Sequence, residues 1–486
     1  MSPRPGTGTQ VHALILAAGK GRRMRSGRVK LLHVIGGAPM VCHVARAVQA
    51  LKPRMLAVVV GNQAEEVSRA LRDDPNLAEG IRFVTQAQQL GTAHAVLQAK
   101  FLVGARARGR DTALIILNGD VPLIRPSTLR ALLARHRRSG AAATVLSTVV
   151  QDPDGYGRVL RDDSGRFTSI VEHRDATPSQ RRVNEVNSGL YCADASLLFD
   201  ALARIGKDNS QGEYYLPDLF PILARDGHRI EAYPHPDDFE VLGVNDRSEL
   251  ADAGKILYRR RAEELMESGV TILDPDCTYI DPGVTVGADT VIHPMARLQG
   301  ATRIGRGCTI GAMAHITDSR LGNDVQVLDA CVISDSRVKD AVRIGPFAHL
   351  RPGTRLEDGV HVGNFVEVKK SKLGRGTKAG HLTYLGDSVI GKECNIGAGT
   401  ITCNFDGFRK HETKLGDGVF IGSDTQLVAP VTLRRGAYVG AGSTITRDVP
   451  ADALALTRAE MSIRKGWARR YRDRMRREKN RAGGKR

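Results

Sequence analysis

A short apolar segment that ends in a glycine-rich, basic turn is the first stretch of this sequence that suggests chemistry. Val11–Ala17 (VHALILA) predicts a buried strand, and Ala18–Met24 (AGKGRRM) follows it, with Lys30 a little further on. Such a turn offers backbone N–H groups and cations to phosphate oxygens. It is neither a Walker motif, since GKS or GKT is absent, nor a GxGxxG fingerprint. The alternative is a tight strand-to-helix turn with incidental arginines.

A carboxylate at the end of a second apolar segment suggests a metal ligand. Ala113–Leu117 is fully apolar and is followed by Asn-Gly-Asp, whose carboxylate belongs to Asp120. Between the two segments, Met55–Val60 reads as a strand and Ala64–Leu71 as a helix. Strand–helix alternation predicts a parallel sheet with helices on both faces, in which ligands bind at the carboxyl ends of the strands. Asp120 could then hold Mg²⁺ against a triphosphate, and a solvated turn aspartate is the alternative.

Aliphatic residues six positions apart dominate the C-terminal half of the chain. Neither an α-helix nor a simple strand has this period, and glycine often follows the aliphatic residue. A hexapeptide with one inward aliphatic and a following small residue is typical of a parallel β-helix. The central run contains Ile344, Leu350, Leu356, Val362 and Val368, with an earlier run over 286–316 and a later one over 415–445.

The repeat resembles that of left-handed β-helix proteins, in which three hexapeptides form one triangular coil of 18 residues. The resemblance implies that residues 18 apart lie on successive coils, roughly 4.8 Å apart. Arg351 and Lys369 have this spacing, and each directly follows an inward aliphatic residue. Two stacked cations with no acidic residue at either position form a candidate phosphate clamp. A solvated charged edge is the alternative.

Size and composition exclude several classes of protein. The 486 residues suffice for two or three domains, and 41% hydrophobic with 26% charged residues is typical of a soluble protein. No apolar run approaches the ~18 residues of a membrane span, and residues 1–10 lack the apolar centre of a signal peptide. Seven cysteines without a CxxC pair indicate free thiols. We therefore expect a cytoplasmic protein with no membrane span.

Much of the net charge of +18 comes from the C-terminal tail. Arg464–Arg486 contains twelve Lys or Arg against Asp473 and Glu478. This tail could contact nucleic acid or an anionic surface. However, the apolar residues at 463, 467, 471 and 475 indicate a short basic helix laid against its own or a neighbouring coil. We favour this second interpretation and do not expect nucleic acid as a partner.

Further motifs make the N-terminal half resemble sugar-1-phosphate nucleotidyltransferases. The segments are LAAGKGRRM (16–24), Lys30, QLGTAHA (89–95), LNGDVPL (117–123), GYGR (155–158), IVEH (170–173), EVNSG (185–189), GEYY (212–215) and GVN (243–245). Combined with the hexapeptide repeats, they narrow the match to bifunctional uridylyltransferase/acetyltransferases that make UDP-N-acetylglucosamine. The resemblance covers about residues 11–458.

The resemblance implies roles for the N-terminal residues. N-acetylglucosamine-1-phosphate would attack the α-phosphate of UTP in line and release pyrophosphate, a reaction that positioning and charge neutralisation can carry. The residues that would hold the nucleotide are Leu16, Ala17, Ala18, Gly19 and Lys30, and those that would read uracil are Gln86, Gly91 and Thr92. Arg23 would assist transfer, Asn118 and Gly119 would line the substrate site, and Asp120 and Asn245 would hold Mg²⁺. The sugar would be held by Gly157, Glu172 and Asn187.

Four positions depart from the family pattern. Arg22 stands where Thr is usual, Val29 where Pro usually precedes the lysine, Asn118 where Tyr often precedes Gly-Asp, and Phe405 where the family has Tyr. The first three concern base and phosphate contacts, and the fourth removes a hydroxyl group. The expected reaction class is unchanged.

A second chemistry is expected within the repeat region. His381 follows a small residue and should emerge at a corner, and the step from Thr402 to Leu415 is long enough for a loop. A histidine near neutral pKa can accept a proton from an amine that attacks a thioester, although a solvated histidine is the alternative.

The resemblance assigns partners to this histidine. It implies that His381 is the general base. Glucosamine-1-phosphate would be held by Arg351, Lys369, Tyr384, Asn395 and Asn404, with Glu367 orienting its amine. Acetyl-CoA would be contacted by Ala398, Phe405, Ser423, Ala441 and Arg458. The backbone N–H of Ala398 would face the thioester oxygen. Relatives are trimers with acetyl-transfer sites between coils, so we expect a homotrimer.

The predicted organisation has two catalytic domains. It comprises a flexible N-terminus (1–10), an α/β nucleotidyltransferase domain with a Rossmann-like mixed sheet (11–245), a linker helix (246–269), a left-handed parallel β-helix acetyltransferase domain (270–450) and a basic tail (451–486). Two other functions use the same folds: a nucleotidyltransferase whose β-helix is structural or regulatory, and a non-catalytic regulatory subunit. His381 with its neighbours argues against the first, and Lys30, Asp120 and Asn245 argue against the second.

Overall fold

The computed structural model of the chain describes residues 10–19, 21–61, 63–104 and 112–483. The predicted flexible segment 1–10 lies, except for Gln10, outside the described residues, as does Lys20 of the glycine-rich turn. The chain forms two compact units: the first extends to Glu264 and includes Tyr279–Pro282, and the second comprises Leu265–Thr278 and the chain from Gly283. Within the described ranges, no helix combines the length and apolar character needed to cross a membrane.

The first unit is built on a mixed sheet of nine strands, which confirms the predicted Rossmann-like class. Strand β1 pairs in parallel with β4 and β6, whereas β10 runs antiparallel to β6 and β7, and the order is β11-β7-β10-β6-β1-β4-β5 with β8 and β9 beside β10. The strands are β1 (Gln10–Ala17), β2 (Val34–Ile35), β3 (Ala38–Pro39), β4 (Met55–Val60), β5 (Arg82–Thr85), β6 (Thr112–Asn118), β7 (Ala143–Val149), β8 (Arg158–Arg161), β9 (Phe167–Val171), β10 (Glu185–Asp194) and β11 (Ile230–His235), of which β2 and β3 form a separate hairpin.

Helices cover both faces of this sheet because neighbouring residues of each central strand point in opposite directions. In β1, Ile15 enters a core with α1, α2 and α5, whereas Leu14 enters a core with α3, α4, α7 and α8. The helices are α1 (Met40–Gln49), α2 (Ala64–Arg72), α3 (Thr92–Gln98), α4 (Lys100–Gly104), α5 (Pro126–Ser139), α6 (Pro178–Arg181), α7 (Ala195–Leu202), α8 (Leu219–Arg225), α9 (Asp238–Val241) and α10 (Arg247–Glu267).

Helix α10 corresponds to the predicted linker helix. The Asp246 carboxylate accepts hydrogen bonds from the backbone N–H groups of Ser248 (2.9 Å) and Glu249 (3.0 Å), which satisfies free donors of the first turn. Gly269, at φ +93°, follows the last turn. Within the first unit, Arg260 donates to the backbone oxygen of Leu123 at 2.7 Å. The middle of α10 is thereby fixed to the loop that follows β6.

The second unit is a left-handed parallel β-helix, as predicted. One face is a sheet of nine short strands: Thr285–Val286, Arg303–Ile304, Arg320–Leu321, Arg337–Val338, Arg355–Leu356, Lys372–Leu373, Ser388–Ile390, Thr413–Leu415 and Val431–Leu433. A longer sheet forms the other two faces and includes Thr271–Ile272, Val291–Ile292, Arg297–Gln299, Thr309–Ile310, His315–Thr317, Gln326–Val327, Val332–Ser334, Arg343–Ile344, His349–Leu350, His361–Lys369, Lys378–Gly386, Asn395–Ile396, Ile401–Cys403, Phe420–Ile421, Gln426–Val428, Tyr438–Val439, Thr444–Ile445 and Leu454–Ala455.

The coil period is not uniform along this unit. Val291 pairs with Thr309 at a step of 18, whereas Thr309 pairs with Gln326 at a step of 17. The step from Asn395 to Phe420 is 25 because an excursion near Asn404–His411 leaves the coil. This is the predicted loop.

One corner of the β-helix is apolar and exposed. It joins the two faces of the longer sheet and carries Met295, Met313, Phe347, Phe365 and Leu382, all at positive φ and 53–61% exposed. We call these five residues the corner ridge. The rings of Phe347 and Phe365 stack with centroids 5.4 Å apart. Exposed apolar side chains in a continuous row mark a surface suited to contact with another protein.

The basic tail forms helix α11 (Trp467–Gly483), as expected from its spacing. Trp467 and Tyr471 stack on each other with centroids 5.1 Å apart, yet both remain exposed. The expected packing of this stripe on its own coil is therefore absent from the described chain, since Trp467 and Tyr471 pack on each other. Contact with a neighbouring copy stays a prediction.

The inward residues carry the stability of the coil, so Ile333→Ala should destabilise it. Ile333 is fully buried, and removing such a side chain costs about 2–5 kcal/mol. Urea unfolding followed by circular dichroism should show this loss for the transition of the β-helix. The matched control is Gln326→Ala on an exposed position, which should change the free energy of unfolding by less than about 0.5 kcal/mol. Equal effects would contradict the assignment of inward and outward positions.

Candidate active sites

Two adjoining cavities lie at the carboxyl ends of β1 and β6 in the first unit. The smaller has a volume of about 280 Å³ and the larger about 630 Å³. They share Leu16, Thr92, Asn118 and Asp120, so Asp120 lies where the two meet. Of the predicted residues, the larger cavity also contains Ala18, Gly19, Lys30, Gln86 and Gly91, and the smaller one Arg23, Gly157, Glu172, Asn187 and Asn245.

Two predicted residues line neither cavity. Ala17 is 5% exposed and its side chain belongs to the core under α1. Gly119 donates its N–H to the backbone oxygen of Leu16 at 2.9 Å. Both residues therefore shape the cavities through the backbone.

The ammonium group of Lys30 joins the two predicted metal ligands. Its Nζ lies 2.6 Å from Asp120 Oδ2 and 3.0 Å from Asn245 Oδ1. Two oxygen atoms from distant segments thus converge on one cation, and oxygen ligands are those that Mg²⁺ prefers. Since Mg²⁺ is commonly held by one or two protein oxygens plus substrate phosphates, this donor pair fits the ion. Among the described residues, no group of three or more His, Cys, Asp or Glu is arranged to hold a metal.

The path of the Lys30 side chain requires glycine at position 21. Gly21 has φ +57°, and a Cβ atom there would lie 2.4 Å from Cβ of Lys30. A side chain at position 21 would therefore be strained and would push Lys30 away from Asp120. This explains the second glycine of the AGKG turn.

Asn245 is held by the start of α10. Its backbone N–H donates to the Glu249 carboxylate, and its Nδ2 donates to the Gly243 oxygen at 2.9 Å. The neighbouring Val244 N–H donates to the Asp120 backbone oxygen at 2.8 Å. These bonds orient Oδ1 of Asn245 toward Lys30. Glu249 also lines the smaller cavity, a position that was assigned no role from the sequence.

The smaller cavity contains buried titratable groups. Burial, and secondarily the charge of Asp175, raises the pKa of Glu172 above its ordinary value. Burial also raises the pKa of Tyr156, a lining residue that lay within the GYGR motif but received no role from the sequence. Asn187 donates to Tyr191 Oη at 2.8 Å and accepts from the Gly189 N–H at 2.9 Å. The cavity therefore combines a carboxyl, a phenol and an immobilised amide, groups that can bind sugar hydroxyl and acetamido groups.

In the second unit, Arg351 and Lys369 lie on successive coils as predicted. Leu350 pairs with Val368, and Arg351 donates its backbone N–H to the oxygen of Val368 at 2.8 Å. The Arg351 side chain also binds Glu367, with Nη1 and Oε1 2.8 Å apart. This bond is the chief cause of the raised pKa of Arg351.

Lys410 is a third cation at this position. The neighbouring ammonium of Lys410 is the chief cause of the lowered pKa of Lys369, and the charge of Arg351 acts in the same direction. The nearby carboxylate of Asp387 offsets this effect only in part, so a bound anion would further relieve the repulsion between the cations. Sequence reasoning missed Lys410 because it lies on the loop that leaves the coil.

Tyr384 and Asn404 approach each other over Gly386. A Cβ atom at Gly386 would lie 2.4 Å from Tyr384 Oη and 2.7 Å from Asn404 Nδ2, so glycine is needed for this approach. Nδ2 of Asn404 donates to the Asp387 carboxylate. Tyr384 also pairs with Glu367 on the preceding coil. The residues predicted to contact the sugar phosphate, with the exception of Asn395, thus lie on one face of the β-helix.

His381 is exposed and is held by Asn364. The side-chain oxygen of Asn364 lies 2.7 Å from Nδ1 of His381, and an amide oxygen can only accept a hydrogen bond. Nδ1 therefore carries the proton, and Nε2 has a free lone pair. This is the tautomer of a general base. A count of 18 residues from His381 ends at Gly363, because the coil here has only 17.

The predicted acetyl-CoA residues follow His381 in a column. Gly399 donates to Leu382, Asp424 to Ala398 (2.7 Å), and Gly442 to Ser423 (2.8 Å), all through backbone groups. His381, Ala398, Ser423 and Ala441 consequently occupy equivalent positions on four successive coils. The side chain of Arg458 lies over Gly442.

Two predicted residues lie apart from this arrangement. Asn395 pairs with Lys378 and Phe420, on the face before the His381 corner, whereas Tyr384 lies on the face after it. Phe405 is 59% exposed on the excursion that also carries Lys410. Within one chain, Asn395 and Tyr384 therefore face different directions.

The sequence matches known proteins over nearly its whole length. Residues 13–211 match the MobA-like NTP transferase domain, and residues 412–447 match the hexapeptide repeat of succinyl-transferase. The chain is 49% identical over 457 residues to the bifunctional protein GlmU of Pelobacter propionicus, which covers 94% of this chain and 98% of that protein. The proteins of the same name from Geobacter metallireducens and Listeria monocytogenes are 49% identical over 478 residues (95% and 99%) and 46% identical over 458 residues (94% and 98%).

Removal of Lys410 should raise the pKa of Lys369. In Lys410→Ala the main cause of the lowered value is lost, so Lys369 should be protonated up to a higher pH. The measurement is the pH dependence of Lys369 labelling by an amine-reactive reagent, quantified by mass spectrometry. Lys372→Ala, on the other sheet and paired with Glu357, is the control and should leave the Lys369 profile unchanged. An unaltered profile in Lys410→Ala would show that the two amines do not interact.

Proposed function

The chain belongs to the family of bifunctional GlmU proteins, and from this premise we propose that it acetylates glucosamine-1-phosphate with acetyl-CoA and then joins the product to UMP from UTP. It is an enzyme with a nucleotidyltransferase half and a hexapeptide-repeat acyltransferase half. The observation that carries the proposal is the presence of two independent groups of residues: Lys30 with Asp120 and Asn245 in one unit, and, in the other, His381 held by Asn364 together with a cluster of three cations.

In the first unit, the larger cavity would take UTP and the smaller one N-acetylglucosamine-1-phosphate. A phosphate oxygen of the sugar attacks the α-phosphorus of UTP, and the bond to pyrophosphate breaks, so no nucleophilic side chain is needed. Lys30, at the junction of the cavities, neutralises phosphate charge, and Arg23 in the smaller cavity does so as transfer proceeds. Gly157, Glu172 and Asn187 would hold the sugar.

Asp120 and Asn245 would hold Mg²⁺, which when bound neutralises phosphate charge during transfer. Their oxygens already converge within 3.0 Å of the Lys30 ammonium, so the pair can hold a cation. Lys30 would then turn toward the phosphates, which offer it a new partner.

In the second unit, acetyl transfer would occur beside His381. The amine of glucosamine-1-phosphate attacks the thioester carbon, Nε2 of His381 accepts the amine proton, and the coenzyme A thiolate leaves as the amide forms. Arg351, Lys369 and Lys410 bind the sugar phosphate, Tyr384 and Asn404 bind the sugar, and Glu367 orients the amine. The Ala398 N–H would face the thioester oxygen, with Ser423, Ala441 and Arg458 further along acetyl-CoA.

We also propose that three copies associate through the corner ridge. The ridge adjoins His381, since Leu382 is the next residue, so a partner that covers it would enclose the base. Asn395 and Tyr384 face opposite sides of this corner, and a groove between two copies could unite one residue from each chain. Removal of the exposed Phe347 and Phe365 side chains from water would favour association.

A purely structural or regulatory β-helix is less consistent with the same residues. A scaffold requires neither an oriented histidine tautomer nor three clustered cations. A non-catalytic subunit would have no need of the Lys30, Asp120 and Asn245 cluster. A cytoplasmic location remains part of the proposal.

The two half-reactions should be separable by mutation. His381→Ala should reduce acetyl transfer at least about 100-fold, the usual scale of general-base catalysis, and leave transfer of UMP nearly unchanged. Asp120→Ala should have the converse effect, since it removes a carboxylate from the phosphate site. Purified protein is assayed for thiol release with acetyl-CoA and for pyrophosphate release with UTP and Mg²⁺. Equal loss of both activities in either variant would contradict two independent sites.

Association through the corner ridge should be lost in Phe365→Asp. A charged group in an apolar contact is costly, so the mass in sedimentation or light scattering should fall from three times 52.6 kDa toward that of one chain. Acetyl transfer should fall at the same time, and UMP transfer should not. Phe101→Asp, which alters a still more exposed ring in α4 (89% against 55% for Phe365), is the control and should leave the mass unchanged. A stable trimer of Phe365→Asp would exclude the ridge as the interface.

A further inference from the structure

The amide group of Gln86 has a fixed orientation in the wall of the larger cavity. Gln86 is only 3% exposed, and its Nε2 lies 3.2 Å from the backbone oxygen of Gly91 and 3.0 Å from Nδ1 of His94. A backbone carbonyl can only accept a hydrogen bond. The atom beside Gly91 must therefore be the amide nitrogen and not the amide oxygen.

The second hydrogen of this nitrogen is directed to His94. The ring can accept it only if Nδ1 carries a lone pair, so the proton of the neutral ring lies on Nε2. Nε2 of Gln98 lies 3.1 Å from Nε2 of the ring and also donates to the backbone oxygen of His94 at 3.2 Å, but Gln98 is only half-buried, so its amide can exchange that bond for water and turn its oxygen to the ring proton. Gln86 has no such freedom, because it is almost fully buried and a turn of its amide would leave the Gly91 oxygen without a donor. Tyr214 stacks on the ring of His94, with centroids 6.4 Å apart.

With both amide hydrogens engaged, Gln86 can offer a ligand only its side-chain oxygen. An oxygen accepts a hydrogen bond from the N3–H of uracil, whereas N3 of cytosine has a lone pair and would be repelled. The geometry points to His94 as a positioning residue that makes the site select uracil over cytosine by fixing the Gln86 amide. This inference rests on the proposed transfer from UTP and adds to it the group that sets the base preference.

The test is the ratio of kcat/KM for UTP to that for CTP. In His94→Phe, which keeps an aromatic ring against Tyr214 but has no acceptor, one of the two hydrogen bonds that hold the Gln86 amide is lost, so the amide can turn more readily and offer its nitrogen to a ligand. The ratio should fall about tenfold or more, since a buried site built for one hydrogen-bond pattern rejects the other strongly. In His94→Asn, Oδ1 occupies nearly the position of Nδ1 and can accept, so the ratio should stay near that of the unmodified protein.

Two controls separate positioning from structural effects. Tyr214→Phe keeps the stacked ring and should leave the ratio unchanged, and urea unfolding followed by circular dichroism reports for every variant whether the first unit is folded. His94→Ala repeats the test should the phenylalanine variant fail to fold. A ratio within twofold of the unmodified protein in His94→Phe or His94→Ala, with UTP still used, overturns the role of His94. If the unmodified protein does not use UTP, the proposed function itself is wrong.

Discussion

Parallel pairing of strands is the constraint on which both candidate sites depend. In the β-helix, each coil hydrogen-bonds to the next, at a step of 17 or 18 residues except for the step of 25 at the excursion, so side chains from distant parts of the sequence form columns. Arg351 lies beside Lys369 for this reason, and His381 lies above Ala398, Ser423 and Ala441. In the first unit, parallel β1 and β6 end at the same edge, where Asp120 meets Lys30. A rigid backbone thus positions groups that the local chain could not bring together.

The cations of the two candidate sites differ in how they would bind phosphate. Lys369 and Lys410 lie in contact, the charge of Asp387 offsets their repulsion only in part, and a bound sugar phosphate would supply further negative charge. Lys30 is in the opposite situation, since it already contacts a carboxylate and an amide oxygen in the ligand-free chain. The first arrangement favours anion binding directly. Under the proposed function, the second would require an exchange of partners, in which Lys30 would leave the oxygens of Asp120 and Asn245 to Mg²⁺ and turn to phosphate.

A second layer of residues orients several groups that would act on substrates. Asn364 fixes the tautomer of His381, Glu249 fixes the backbone of Asn245, and His94 fixes the amide of Gln86. The amide oxygen of Asn364 and the carboxylate of Glu249 can only accept a hydrogen bond, and the Gln86 amide is also fixed by the backbone oxygen of Gly91, so the supported groups have defined orientations. Such support reduces the reorganisation needed when a ligand binds, which is where preorganised sites gain their advantage.

The sequence by itself determined the architecture and most of the residues of both sites. Inward aliphatic residues obey a local six-residue period, and apolar strands that end in Gly or Asp are local signals as well. Asn364 and Lys410 could not be found this way. A count of 18 residues back from His381 ends at Gly363 and misses Asn364, because this coil has only 17 residues. Lys410 lies beside Lys369 only because of the course of the loop that carries it. Tertiary structure alone decided these contacts, since they depend on strand register, loop course and side-chain orientation, none of which has a period in the sequence.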